Sequence, residues 1–108
     1  MRKKTKSIGV VCSNFMDRNN IIDQLRDLGL DAFAFKPNSG FLADGIDLLI
    51  IDLVAPEALI ALKNYTNKSI CFAPVAEKKL IEKAKTMGCD RVYGFKEFFE
   101  EILPKIEQ

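Results

Sequence analysis

Histidine and tryptophan are missing from these 108 residues, and cysteine occurs three times, at Cys12, Cys71 and Cys89, without a CxxC pair. An odd, scattered cysteine count offers no disulfide framework, and without imidazoles or paired thiols there is no zinc-ligand pattern. Any metal chemistry would rest on carboxylates, and neither a metal nor another cofactor is expected. Neither sign of charge prevails: 16 basic against 15 acidic residues leave a formal charge of +1, far from the dense positive field that nucleic-acid binding needs. Long apolar runs are lacking too. After Arg2, Lys3, Lys4 and Lys6 the stretch from Ile8 to Cys12 is too short for a signal-peptide core or a membrane span. The basic start reads as a solvated terminus, and the expected location is the cytoplasm, with no membrane or nucleic-acid partner.

Linkers rich in Pro, Gly or Ser, internal repeats and low-complexity tracts are also absent, so residues 1–108 read as one domain, with 48% hydrophobic residues to build a core. What the chain does contain is an alternation of apolar runs and amphipathic segments, the pattern of a parallel sheet covered by helices. Ser7 to Cys12 predicts a first strand. Asp17 to Leu28 predicts a helix with Ile21, Ile22, Leu25 and Leu28 on one face, capped by Ser13 or Asn14 and closed by Gly29. Leu30 to Phe35 predicts the second strand. Pro37 to Gly40 then open a stretch before Gly45 with room for a turn or two of a second helix.

Ile46 to Leu53, with six apolar residues and Asp47 and Asp52 near its ends, predicts a central strand buried on both faces. Pro56 suits the first turn of a third helix running to about Tyr65. Ser69 to Ala73 predicts the fourth strand, and Glu77 to Met87 a fourth helix that buries Leu80, Ile81, Ala84 and Met87 before Gly88. Arg91 to Phe95 predicts the fifth strand. A terminal helix from Glu97 to Leu103 would pack through Phe98, Phe99, Ile102 and Leu103 until Pro104 ends or kinks it. Five strands and five helices make a doubly wound, flavodoxin-like three-layer sandwich with strand order 2-1-3-4-5, the first and fifth helices on one face and the second to fourth on the other.

Sites in such sheets lie beyond the carboxyl ends of the strands, which directs attention to Cys12 to Asn14, Asp52, Ala73 and Lys96. The segment Asp47-Leu-Leu-Ile-Ile-Asp52-Leu-Val-Ala-Pro56 resembles the third strand of a response-regulator receiver domain, with Asp52 at the phosphoacceptor position and a Pro four residues on. Arg18, Ile21, Leu25 and Gly29 keep the spacing of the first receiver helix, and Ala73 to Gly88 that of the fourth strand's end and fourth helix. Tyr93-Gly-Phe-Lys96-Glu-Phe98 is similar to the receiver's fifth-strand pattern of aromatic, two residues, Lys, Pro, Phe. One extra residue before Tyr93 puts Lys96 on the lysine position; without it Phe95 falls there.

The resemblance also implies what is missing. Cys12 and Ser13 occupy the places of the adjacent acids that, with the phosphoacceptor, hold Mg²⁺ in receivers. Ala73 stands for the Ser or Thr that contacts the phosphoryl group, and Tyr93 for the switching aromatic. A thiol and a hydroxyl are poor ligands for Mg²⁺, which needs hard oxygen donors to neutralise an approaching phosphoryl group. The expectation is an atypical receiver with no catalytic residue and no metal site. It would bind a protein partner through the fourth helix, fifth strand and fifth helix, with a homodimer left open. Lacking a further domain, it would pass its signal through a separate partner.

Two alternatives stand beside that expectation. The first is a working phosphoacceptor, Asp52, in a two-component phosphorelay. In the second, Cys12-Ser-Asn-Phe-Met-Asp-Arg18 fits the C-x5-R spacing of a cysteine phosphatase loop, or places a phosphocarrier cysteine after the first strand. Phe15 and Met16 put bulk where that loop must wrap an anion, and a buried apolar cysteine accounts for Cys12 as well. For Asp52, the plain account is a solvated strand end or a structural partner of Lys96. For Tyr93 it is packing.

Overall fold

A computed structural model describes residues 6–36, 46–56, 58–65, 69–73, 78–87, 89 and 92–106. Five strands form one parallel sheet: β1 (Ser7–Val11), β2 (Asp31–Ala34), β3 (Leu48–Asp52), β4 (Ser69–Ala73) and β5 (Val92–Gly94). Their order is β2-β1-β3-β4-β5, the order expected for this doubly wound class. The central strand is buried on both faces, with Leu49, Ile50 and Ile51 fully enclosed. That burial is why β3 reads as a continuous apolar run rather than an alternating one.

Helix α1 (Phe15–Asp27) begins two residues earlier than its apolar stripe predicts. Asn14, not Ser13, is the cap, its Oδ1 accepting the Asp17 N–H at 3.0 Å. At the other end Gly29 takes a φ of 84°. Its N–H donates to the Arg26 carbonyl at 3.0 Å while the Leu30 N–H reaches back to the Leu25 carbonyl at 3.1 Å. These two bonds close the helix as a left-handed turn in which Leu25 and Leu30 join the same core.

The sheet divides the interior into two layers. On one face Ile21, Ile22 and Leu25 of α1 meet Ile8, Val10, Ile50, Phe72, Phe98 and Leu103. On the other, Ala58, Ala61 and Leu62 of α2 (Ala58–Tyr65) and Ala84 of α3 (Lys78–Thr86) cover Val11, Leu49, Ile51 and Cys71. The first and last helices thus share a face, opposite α2 and α3, as a right-handed winding requires. The helix expected after Pro37 lies outside the described residues. Gly9 sits where β1 runs between its neighbours; an added Cβ would meet Leu49 Cδ2 at 2.8 Å and Phe35 Cβ at 3.0 Å. Glycine here permits close packing of the β1–β3 pair against Phe35.

The end of the chain departs from expectation. β5 covers only Val92–Gly94, and Phe95 already starts the terminal helix α4, which runs as Phe95–Glu97, widens to a π-type turn over Phe98–Ile102 and tightens to a 3₁₀ turn at Leu103–Lys105. Pro104 sits in the first turn of that last 3₁₀ segment, where its missing N–H is tolerated, and the chain becomes extended at Ile106. Aromatic packing accounts for the early start. Phe98 stacks on Phe72 of β4 with centroids 4.4 Å apart and planes 9° apart, Phe99 meets the Phe72 ring edge-on, and Phe95 and Phe99 lie 4.6 Å apart. Offset and edge contacts of this kind add to the area that the rings bury. They are available only when the segment from Phe95 is already coiled.

Candidate functional site

Parallel pairing of β1 and β3 sets Val10 beside Ile50 and Val11 beside Ile51. One step further along, past the last pair, come Cys12 and Asp52. Both point to the α1 side of the sheet, because side chains alternate along a strand and Cys12 packs with Ile8 and Val10. The Cys12 thiol lies 3.5 Å from Asp52 Oδ2 and 3.6 Å from the Asn14 carbonyl. Asp52 Oδ1 accepts the Val54 N–H at 3.0 Å, and the Asp52 carbonyl accepts the Ala55 N–H at 3.0 Å. Asp52 therefore folds the turn that follows its own strand, as Asp side chains commonly do.

This carboxyl is only 2% exposed. Burial raises its pKa above the ordinary value of 3.8, the bonds from the Val54 N–H and the Cys12 thiol offset part of that rise, and the charge of Asp17 adds to it. The ionised group acting on Asp52 is thus another acid and not a lysine. Burial, followed by the neighbouring Asp52 charge, pushes the Cys12 thiol up to about 12. A thiol so protonated is a poor nucleophile near neutral pH, which runs against phosphatase or phosphocarrier chemistry at Cys12.

The remaining expected positions are dispersed. Ser13 is exposed beside the buried Cys12. Ala73 packs into the opposite layer with α2 and α3, where β4 pairs it with Gly94. Tyr93 pairs with Phe72 across β4 and β5 and is half-buried against the α1 layer. Lys96 is exposed and sits in the first turn of α4, because β5 ends at Gly94 and not at Phe95 as expected. Asp52 is neither solvated nor the partner of Lys96; its side-chain partners are Cys12 and the Val54 N–H. Asp47 has a plain structural task, accepting the Ser7 N–H at 2.8 Å through Oδ2 and so joining the starts of β1 and β3. Among the described residues no three His, Cys, Asp or Glu side chains gather as a metal site.

Sequence reasoning missed the apolar rim beside this pair. Phe15 is 65% exposed, Met16 79% and Val54 47%, and all three lie within four residues of Cys12 or Asp52 along the chain. A signal was available for Met16, which falls off the Ile21, Ile22, Leu25 stripe that α1 buries, but not for Phe15, which lies seven residues before Ile22 and so along the edge of that stripe. Among the described residues no helix is long and apolar enough to cross a membrane. No family model matches the chain, and no curated protein matches it.

Proposed function

We propose that this chain is an atypical receiver-like signalling module that works by binding another protein and does not take up phosphate at Asp52 by the Mg²⁺-dependent route. The sheet order supports the receiver-like part of this reading, together with the position of Asp52 at the carboxyl end of the central strand. The observation that carries the rest is the state of that carboxyl. It is buried, bonded to a thiol and a backbone N–H, and acted on by Asp17. A dianionic phosphodonor approaching an aspartate needs positive charge to offset repulsion; among the described residues neither side-chain hydrogen-bond partner of Asp52 carries any, and Asp17 adds negative charge.

The partner surface follows from α3, β5 and α4. Lys78, Lys79, Lys83 and Lys85 of α3 are exposed and outnumber the single acid of that helix, Glu82. Helix α3 forms the basic part of this surface, beside Glu97, Glu100 and Glu101 of α4, and suits an acidic segment of the partner, with association that weakens as salt rises.

Intact-mass spectrometry after incubation with acetyl phosphate and Mg²⁺ tests the proposal. The expected spectrum has no phosphoryl adduct, and Asp52→Asn gives the same result. An adduct that needs Mg²⁺ and disappears in Asp52→Asn would make Asp52 a working phosphoacceptor and overturn the reading.

A further inference from the structure

The C-x5-R spacing of Cys12 and Arg18 has a structural counterpart that no covalent chemistry at Cys12 uses. A cavity of about 140 Å³ opens between the carboxyl ends of β1 and β2 and the first turn of α1, with Cys12, Ser13, Arg18, Phe35, Lys36 and Pro56 among its walls. That is ample room for a tetrahedral oxyanion. Both charged residues of the wall, Arg18 and Lys36, are cations, and they stand against the negative charges of Asp17 and Asp52, which act on Cys12 of the same wall. Arg18 is half-buried, and among the described residues its guanidinium has no ion pair or hydrogen bond, only the face of the Phe15 ring at 5.4 Å. A half-buried guanidinium is normally bonded, because its five N–H groups lose water on burial. The Ser13 hydroxyl adds a neutral donor, and the N-terminus of the 13-residue α1 adds the positive end of its dipole.

We infer that this cavity is a non-covalent binding site for a small phosphate-class oxyanion, with Arg18 as the neutralising contact and Ser13 as a hydrogen-bond donor. Cys12 lines the site without attacking the ligand, since its thiol is bonded to Asp52. The planar fork of Arg18 matches two oxygens of such an ion. The apolar remainder of the wall, Val10, Val11, Ala34, Phe35 and Pro56, restricts the site to a compact headgroup. The inference is independent of the partner-binding proposal, because α3 and β5 contribute nothing to this cavity.

Titration of the ¹⁵N-labelled protein with inorganic phosphate, at ionic strength held constant with chloride, tests it. The expected result is a saturating shift of the amides of residues 13–18 and 34–36 that chloride alone does not produce. Arg18→Gln should weaken binding at least about tenfold, the equivalent of one charge-assisted hydrogen bond, and Ser13→Ala about threefold, with both variants melting as the parent does. Tighter binding of glycerol phosphate than of inorganic phosphate would identify the ligand as the headgroup of a small metabolite, and the reverse as the free ion; either supports the site. Shifts that rise linearly with phosphate, or that chloride reproduces, or that persist unchanged in folded Arg18→Gln and Ser13→Ala, would overturn it.

Discussion

The thiol of Cys12 and the carboxyl of Asp52, forty positions apart in the chain, meet at 3.5 Å where the first and third strands end. Burial raises the proton affinity of both: Asp52 is shifted up mainly by desolvation, which the bond from the Cys12 thiol partly offsets, and Cys12 by burial and by the Asp52 charge. An acid whose folded-state pKa lies above its unfolded value holds its proton more tightly when folded. Its contribution to stability is complete below the unfolded pKa and is lost as pH rises through the folded one.

Asp52→Asn should therefore stabilise the protein at pH 7. The amide oxygen keeps the bond from the Val54 N–H, and no charge is buried. A gain on the order of 1 kcal/mol corresponds to a rise of roughly 4–8 °C in melting temperature for a domain near this size. The gain should shrink as pH falls towards the ordinary aspartate range, where the parent carboxyl is protonated as well. Thermal melts across pH 4 to 8 check this, and a variant less stable than the parent at pH 7 would show that the native carboxylate is held charged.

Cys12 should resist alkylation in the native protein. With its thiol near 12, the thiolate fraction at pH 7.5 falls about three orders of magnitude below that of a free cysteine. Cys71, fully buried and also shifted up by burial, should stay protected with it. Iodoacetamide followed by intact-mass measurement should add label slowly until denaturant is present; fast labelling located at Cys12 would restore the nucleophile reading.

Gly9→Ala should destabilise by about 1–3 kcal/mol, the usual cost of forcing bulk into a packed core. The new methyl would lie 2.8 Å from Leu49 Cδ2 and 3.0 Å from Phe35 Cβ, and although the leucine methyl can rotate away, the Cβ of Phe35 is tied to the backbone. Urea unfolding measures the loss. A variant as stable as the parent would mean that β1 and Phe35 separate easily.

Charge reversal on α3, Lys78→Glu with Lys85→Glu, should leave stability within about 0.5 kcal/mol, as exposed substitutions generally do. Association with a partner captured by crosslinking should fall, and binding by the parent should weaken between 50 and about 300 mM salt. Tyr93→Ala should weaken it too. Normal binding by these variants, with loss instead on substitution of exposed Asp23 of α1, would move the partner surface to α1.

The doubly buried β3 and most of the burying faces of α1 and α3 are local matters, set by where apolar residues recur at period 3.6 or run together, and they were legible in the sequence, although Leu28, expected on the α1 face, is 41% exposed. The strand order was expected from the doubly wound class and not from any local pattern. The closure of α1 was legible as well, because Gly29 supplies a left-handed residue directly after the stripe ends. The placement of Lys96 was not. Its segment reads equally as the end of a strand or the start of a helix, and only the stacking of Phe98 on Phe72 of a different strand settles where coiling begins. Tertiary structure likewise decided the fate of Asp52. A carboxylate at a strand end is solvated, paired with a cation or buried according to what the neighbouring strand presents, and the register of β1 against β3 presents a thiol. The sequence by itself determined which faces are apolar, since periodicity is a one-dimensional property. Which polar atoms meet beyond the strand ends depends on register and packing between segments forty residues apart, and that is a property of the folded chain alone.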